Sequence, residues 1–185
     1  MSGRASIWRW LRLNLGPSGL RERLLARPFE AVALAGLPGP LVGAEVGVFK
    51  GRHAAAMFRR RRIKLLYAVD PYAAYPCGFT QAELDAAERS ARRRLRRRPV
   101  KWVCVEPWRA AHMVPARLDF VYIDANHSYV TVLEDCWRWK CKVRPGGVLG
   151  GHDFDQEEVG RAVVDFAASK NLTLRTERKD WWTTV

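Results

Sequence analysis

No apolar run in this chain approaches the roughly eighteen residues that a membrane-spanning helix needs, so no transmembrane segment is expected. The opening MSGRASIWRWLRLNLG lacks a clean apolar stretch and a small-residue cleavage site. It does not read as a signal peptide, and a cytoplasmic protein is expected. The four cysteines, Cys77, Cys104, Cys136 and Cys141, include no C-x-x-C pair. Reduced thiols are the simple reading, and a zinc site is disfavoured. The glycines nowhere take the G-x-G-x-x-G spacing of a dinucleotide loop. Acidic residues are sparse, 19 against 32 basic ones, and none falls inside two arginine-rich blocks.

What is present is ordinary for a globular protein. With 48% hydrophobic and 28% charged residues, the 185-residue chain is long enough to bury a core and too apolar for global disorder. The net charge of +13 invites a nucleic-acid partner. Eleven of those charges, however, lie in Arg59–Arg62 and Arg89–Arg98, and the rest of the chain carries only +2. The excess is therefore two short blocks, to be read as solvated helix ends or as phosphate contacts.

Residues 1–40 read as an N-terminal helical extension. Ile7, Trp8, Leu11 and Leu15 share helical spacing, Leu20 to Ala35 continues a helical composition, and LPGP at Leu37–Pro40 ends it. Such a basic, tryptophan-bearing start either packs over its own domain or touches a membrane surface. From residue 41 to 185 the pattern alternates. Strands are expected near 41–46, 65–70, 101–105, 118–124, 146–151, 172–176 and 181–185, and helices near 52–62, 80–98, 128–142 and 156–170. Thr80 with Glu83 forms a capping-box signature, and Leu84, Ala87, Ala91 and Leu95 give the helix behind it one narrow apolar stripe. Strands separated by helices of this length predict a parallel α/β sheet with helices on both faces. Both arginine runs then finish their helices at the sheet edge opposite the ligand side, where cations suit the negative end of the helix dipole.

Two stretches carry the chemistry. In LVGAEVGVFKG, an apolar strand runs into Glu45, Gly47 and Gly51 with the spacing E-x-G-x-x-x-G, and a second strand ends at Asp70. Glycines let the backbone approach a ligand, and a carboxylate ending the next strand accepts both ribose hydroxyl protons. This spacing points to S-adenosylmethionine rather than a dinucleotide. In LDFVYIDANHSY, a strand ends at Asp124, with Asn126 and His127 just beyond; the strand after it delivers His152 and Asp153. Adjacent parallel strands bring these groups to one sheet edge. A carboxylate or imidazole there can take a hydroxyl proton as a methyl group leaves sulfur. The same groups can hold a divalent cation that acidifies a substrate hydroxyl. The plain alternative is that Asp124 caps the next helix and His152 fills a loop. Tyr72 and Tyr75 follow Asp70 and either stack on a base or line an acceptor pocket. His112 reads as core or surface, and Trp137 and Trp139 alternate on a helix and so face different environments.

With GAEVGVFKG, YAVDPY, LDFVYIDANHSY and VRPGGVLGGHDF in this order, and Asp135 in the helix between the last two, the chain resembles class I S-adenosylmethionine-dependent methyltransferases of the methyltransferase domain 24 type. The ending RTERKDWWTTV resembles the antiparallel hairpin that closes that fold. The resemblance covers about residues 41–185. It implies a Rossmann-like, seven-stranded, mostly parallel sheet with a reversed last strand. It places Glu45, Gly47 and Gly51 at the methionine and ribose side of the cofactor and Asp70 at the ribose hydroxyls. Glu106, in Val105-Glu106-Pro107, is a candidate near the adenine, and Asp124 and His127 match a D-x-x-H loop at the methyl-transfer centre. In related sugar O-methyltransferases, an Asp at the 124 position and two acidic residues at 152–153 ligate magnesium; here Asp124, His152 and Asp153 would form that set, with an imidazole in place of one carboxylate. His53 also stands where the family commonly has Ser or Thr.

The function expected is S-adenosylmethionine-dependent O-methylation of a small-molecule or glycan hydroxyl, with Asp124, His127 and Asp153 as catalytic groups and Mg2+ as a candidate second cofactor. The alternatives are an RNA methyltransferase using the arginine blocks and a non-catalytic binding module with the same fold. The short core leaves the acceptor pocket to be covered by the first 40 residues or by a second subunit, so a homo-oligomer is among the expectations.

Overall fold

The computed structural model describes residues 27–74 and 78–185. The expectations for Ile7, Trp8, Leu11, Leu15, Tyr75 and Cys77 lie outside the described residues. A π-helical turn, Phe29–Ala33, precedes β1 (Leu41–Val46), α1 (Arg52–Arg60), β2 (Ile63–Val69), α2 (Gln81–Leu95) and β3 (Val100–Val103). There follow α3 (Pro107–Met113), β4 (Leu118–Ile123), α4 (Tyr129–Lys140), β5 (Val143–Gly151), α5 (Glu157–Ser169), β6 (Arg175–Glu177) and β7 (Asp180–Thr184). The strands form one seven-stranded sheet in the order β3-β2-β1-β4-β5-β7-β6. β1 to β5 pair in parallel, and β7 runs antiparallel to both β5 and β6. This is the parallel α/β sheet that the alternation predicts, with the reversed last strand that the resemblance implies. No helix among the described residues is long and apolar enough to cross a membrane.

Period-two alternation buries both faces of the central strands. Ala44, Val46, Val121, Ile123 and Leu149 pack on one side with Trp139 of α4 and Phe166 of α5. Leu66, Phe120, Tyr122 and Val148 face the other, against Phe29, Ala54 and Met57. The α2 stripe Leu84, Ala87, Ala91 and Leu95 is fully inward, and its capping box is formed at both ends. Trp139 is buried and Trp137 is partly exposed, as their alternation on α4 requires.

Two local differences from the sequence pattern have simple causes. The last helix was expected to hand over to a strand at 172, yet β6 begins only at Arg175. Asn171 adopts a left-handed φ of 51°, and the amides of Asn171 and Leu172 return to the carbonyls of Ala168 and Ala167. This helix-ending motif consumes the residues between. α3 is a seven-residue helix absent from the expected alternation; Pro107 starts it, and His112 lies in its last turn.

Hydrogen bonds across the strand ends align the carboxyl edge. Asp70 N–H donates to the Val103 carbonyl, Gly47 to Val69, Asp124 to Val46 and His152 to Ile123. The edge therefore presents Asp70, Gly47, Asp124 and His152 in a row. The arginine runs close α1 and α2 and lead into β2 and β3, but the second run does not lie wholly at the opposite edge: Arg92 Nη2 lies 3.4 Å from Cys104 Sγ, just past the carboxyl end of β3, and Arg94 Nε donates to the Lys50 carbonyl in the loop after β1. Several are tied down. Arg92 pairs with Glu88 and lies 4.7 Å over the Trp102 ring, and Arg61 donates to the carbonyls of Glu30 and Ala31.

Candidate active site

The loop after β1 is clamped by Asp70. Its Oδ2 accepts the Phe49 N–H at 2.7 Å, and its Oδ1 accepts the Tyr72 N–H at 3.0 Å. Tyr72 in turn donates its hydroxyl to the Phe49 carbonyl at 2.9 Å. Tyr72 is thus buried as a brace between the β1 and β2 loops. Burial pushes the Asp70 carboxyl above its usual range, against the backbone N–H groups that favour its charge. Two backbone donors leave lone pairs on the carboxylate, so it can still accept hydrogen bonds from a ribose diol.

Gly47 has a φ of 89°, and a Cβ there would lie 1.9 Å from the Asp124 carbonyl oxygen. The loop can turn between β1 and β4 only without a side chain. Gly51, capping α1, meets α2: a Cβ would lie 3.1 Å from the Ala91 Cα. Glu106 is exposed beyond β3, at the N-cap of α3.

Glu45 lies within β1. It points to the sheet face under α1, where its Oε1 meets His53 Nδ1 at 3.0 Å, while Glu30 Oε2 meets His53 Nε2 at 2.9 Å. All three are buried. Glu45 Oε2 has no hydrogen-bond partner among the described residues. Burial raises the Glu45 pKa; burial opposes charge on Glu30 too, but its contacts with His53 and Arg27 keep it below the usual value. His53 is held above its usual value by its two carboxylate partners, against burial and the charge of Arg27. The imidazole is thus a proton-bearing bridge between two buried acids.

At the ends of β4 and β5 the expected groups do come together. His127 Nε2 lies 3.0 Å from Asp153 Oδ2, and His152 Nδ1 lies 3.0 Å from Asp153 Oδ1. Asp153 holds a left-handed φ of 58°, which turns its carboxylate back between the two imidazoles. Burial would raise its pKa, but both histidines hold it well below the carboxylate range. The hydrogen bond to Asp153 raises His127 above its ordinary value, and its side chain stays 43% exposed. A cleft beside it is lined by Ile123, Asp124, His127, His152, Val159 and Trp181.

Four polar residues in this neighbourhood escape the sequence reading. Arg27 Nη1 lies 3.0 Å from Asp124 Oδ2 and 2.6 Å from the Tyr122 hydroxyl. Tyr122 donates to Asp180 Oδ1 at 2.9 Å, and Asp180 Oδ2 accepts the Phe29 N–H at 3.0 Å. Burial opposes the charge on Arg27, but Tyr122, Asp124 and Asp180 around it hold its pKa well above the ordinary value. Glu30, in the same turn, supplies the second acid on His53. Asp180 opens β7, the strand that the resemblance reverses, and that reversal puts it at the carboxyl edge.

Asp124, His152 and Asp153 can each offer a ligand atom within 4.8 Å of the others. The set nonetheless suits magnesium poorly. Asp124 is paired with a guanidinium, Asp153 is shared by two imidazoles, and magnesium asks for oxygen ligands in octahedral array.

A family profile described as a methyltransferase domain matches residues 44–154. No curated protein matches the chain in sequence. Among solved structures, precorrin-6y C5,15-methyltransferase from Geobacter metallireducens is 14% identical with a TM-score of 0.64, over 84% of this chain and 88% of that one. The O-methyltransferase NovP is 18% identical with a TM-score of 0.59, over 92% and 80%. Aeropyrum pernix fibrillarin, solved with natively bound S-adenosyl-L-methionine, is 16% identical with a TM-score of 0.54, over 84% and 73%. At these identities the likeness to solved structures is one of fold, whereas the profile spans more than half of the sequence and both chemistry-bearing stretches. The chain belongs to the methyltransferase domain family and is a class I S-adenosylmethionine-dependent methyltransferase.

Proposed function

We propose that the protein transfers the methyl group of S-adenosylmethionine to a hydroxyl oxygen of a small molecule or glycan. The observation that carries this reading is the His127–Asp153 pair, 3.0 Å apart beside Asp124 at the carboxyl edge. An alcohol must lose its proton as it attacks the methyl carbon, and a half-exposed imidazole backed by a carboxylate is suited to take it. Asp153 orients the ring and stabilises the imidazolium that forms. Gly47, Gly51 and Asp70 belong to the cofactor side, with Asp70 accepting the ribose hydroxyls while it holds the loop. Glu106, at the N-cap of α3 beyond the neighbouring strand, is the residue we assign to the adenine end. Glu45 acts on the cofactor loop through His53 and α1 rather than by direct contact. When bound, the cofactor supplies the activated methyl; the chain aligns the acceptor and removes its proton.

The test begins with calorimetric titration by S-adenosylhomocysteine. Transfer of labelled methyl from S-adenosylmethionine to a panel of sugars, phenols and RNA follows, with wild type and His127→Ala. Label on a hydroxyl compound, with kcat reduced ~10²- to 10⁴-fold in the variant, is expected. Label on RNA alone, insensitive to His127, overturns the reading; failure to bind the cofactor product overturns the enzyme.

A further inference from the structure

We propose that Arg27 stands in the place of the divalent cation, so that methyl transfer by this protein is metal-independent and Asp124 serves as the carboxylate that seats the arginine. The inference rests on the reading of Asp124 and Asp153 as the methyl-transfer edge, and it concerns what holds the positive charge there. The corner built by Asp124, His152 and Asp153 is the one place among the described residues where three ligating groups converge. One of its anionic oxygens, Asp124 Oδ2, already receives a cation: the Arg27 guanidinium at 3.0 Å.

The arginine is built in rather than draped over the surface. Arg27 Nη1 also donates to the Tyr122 hydroxyl, whose proton goes to the buried Asp180. Two residues on, the Phe29 amide is bound by the other Asp180 oxygen, and its ring packs 4.7 Å from the Tyr122 ring. Phe29 is fully buried above Gly150, where a Cβ would come within 2.6 Å of the ring. The Arg27 carbonyl accepts the Ala31 N–H, and Arg61 fixes the Glu30 and Ala31 carbonyls from outside. The turn is therefore anchored at both ends, and the guanidinium is delivered to Asp124 by the core.

The carboxylates at this corner already have partners. Asp124 faces Arg27, Asp153 faces His127 and His152, and Asp180 faces Tyr122 and the Phe29 amide, with His152 Nε2 at 3.9 Å. A divalent ion entering would displace the guanidinium from its carboxylate or sit beside it, and like charges a few ångströms apart repel strongly. Arginine also cannot give up its proton, so the displacement has no neutral route. An alkoxide developing at the cleft would meet a fixed monovalent charge, present without any metal in solution.

Manganese(II) is the probe, read by electron paramagnetic resonance on the full chain, with S-adenosylhomocysteine calorimetry as the check that each variant is folded. Wild type is expected to leave manganese free, and its affinity for S-adenosylhomocysteine is expected to be the same in magnesium or chelator. Arg27→Ala should acquire a saturable manganese site at least ~100-fold tighter than wild type. That site should vanish in Arg27→Ala/Asp124→Asn, and Arg27→Lys, keeping the charge, should not acquire it. Arg27→Gln, close in shape and without charge, carries the same arm if the alanine variant does not fold. Saturable manganese binding by wild type that Asp124→Asn abolishes overturns the proposal. So does a folded, uncharged Arg27 variant that still binds none. Neither readout needs turnover, so an error in the assignment of acceptor or base leaves this test intact.

Discussion

Replacing Asp135 by asparagine should stabilise the protein at alkaline pH and leave it nearly unchanged in acid. Asp135 is 2% exposed on α4, and its Oδ2 has no hydrogen-bond partner among the described residues. Burial, eased by Arg138 and aggravated by Glu134, pushes its pKa from 3.8 up to about 7. In the unfolded chain the group ionises near 3.9. Between these values the folded state keeps a proton that the unfolded state has released, so stability falls as pH rises. Below about pH 4 the penalty is absent; above about pH 7 it is complete, at ~3 pKa steps or ~4 kcal/mol. Asparagine imitates the protonated acid and never ionises. Urea unfolding of both proteins at pH 5 and pH 8 should show wild type losing ~2–3 kcal/mol more than the variant across that interval. Subtracting the variant removes the contributions of His127, Asp153 and every other shared group. Parallel losses in the two proteins would mean that Asp135 ionises freely in the fold, and the argument from its burial would be wrong.

Three further outcomes are expected. Asp70→Ala should weaken S-adenosylhomocysteine binding ~100-fold or more in calorimetry, because ribose acceptors and the clamp on Phe49 are lost together; unchanged affinity would mean the cofactor does not use this strand end. His53→Leu should cost ~3–5 kcal/mol in denaturant unfolding at neutral pH, since Glu30 and Glu45 would face each other buried and unbridged, with part of the loss recovered in acid as they protonate. A loss under ~1 kcal/mol would refute the bridge. If His127 is the base, kcat should rise with pH through a value above ~6.5, and Asp153→Asn should move that limb to lower pH, because the carboxylate is what raises the imidazole; a limb that stays in place assigns the base elsewhere.

Local pattern was sufficient for the fold because each element there is specified by its own residues. The α2 stripe and the Thr80/Glu83 box locate that helix without reference to the rest of the chain. The run Leu118–Ile123 could be a strand only if covered on both faces, which is what a parallel sheet does. Asp70, Asp124, His127, His152 and Asp153 were legible for a related reason. Each follows directly from the end of a parallel strand, and the topology sends all such ends to one edge.

What was not legible depends on contacts between distant segments. Glu45 reads as a cofactor-side residue at the end of β1 beside the glycines, but period two turns it to the face under α1, and only the approach of His53 and Glu30 makes that position tolerable for an acid. Arg27 carries no local signature at all; one arginine in a basic extension looks like any other. Its role arises from Asp180, 153 residues later, which takes the Phe29 amide and the Tyr122 hydroxyl and so aims the arginine at Asp124. Reversal of β7 is what brings that carboxylate to the ligand side: in a parallel strand the first residue would lie at the opposite edge. An acidic residue opening a reversed last strand is therefore a site candidate on topology alone. The basic residue that answers it is to be sought in whichever segment crosses the same strand ends.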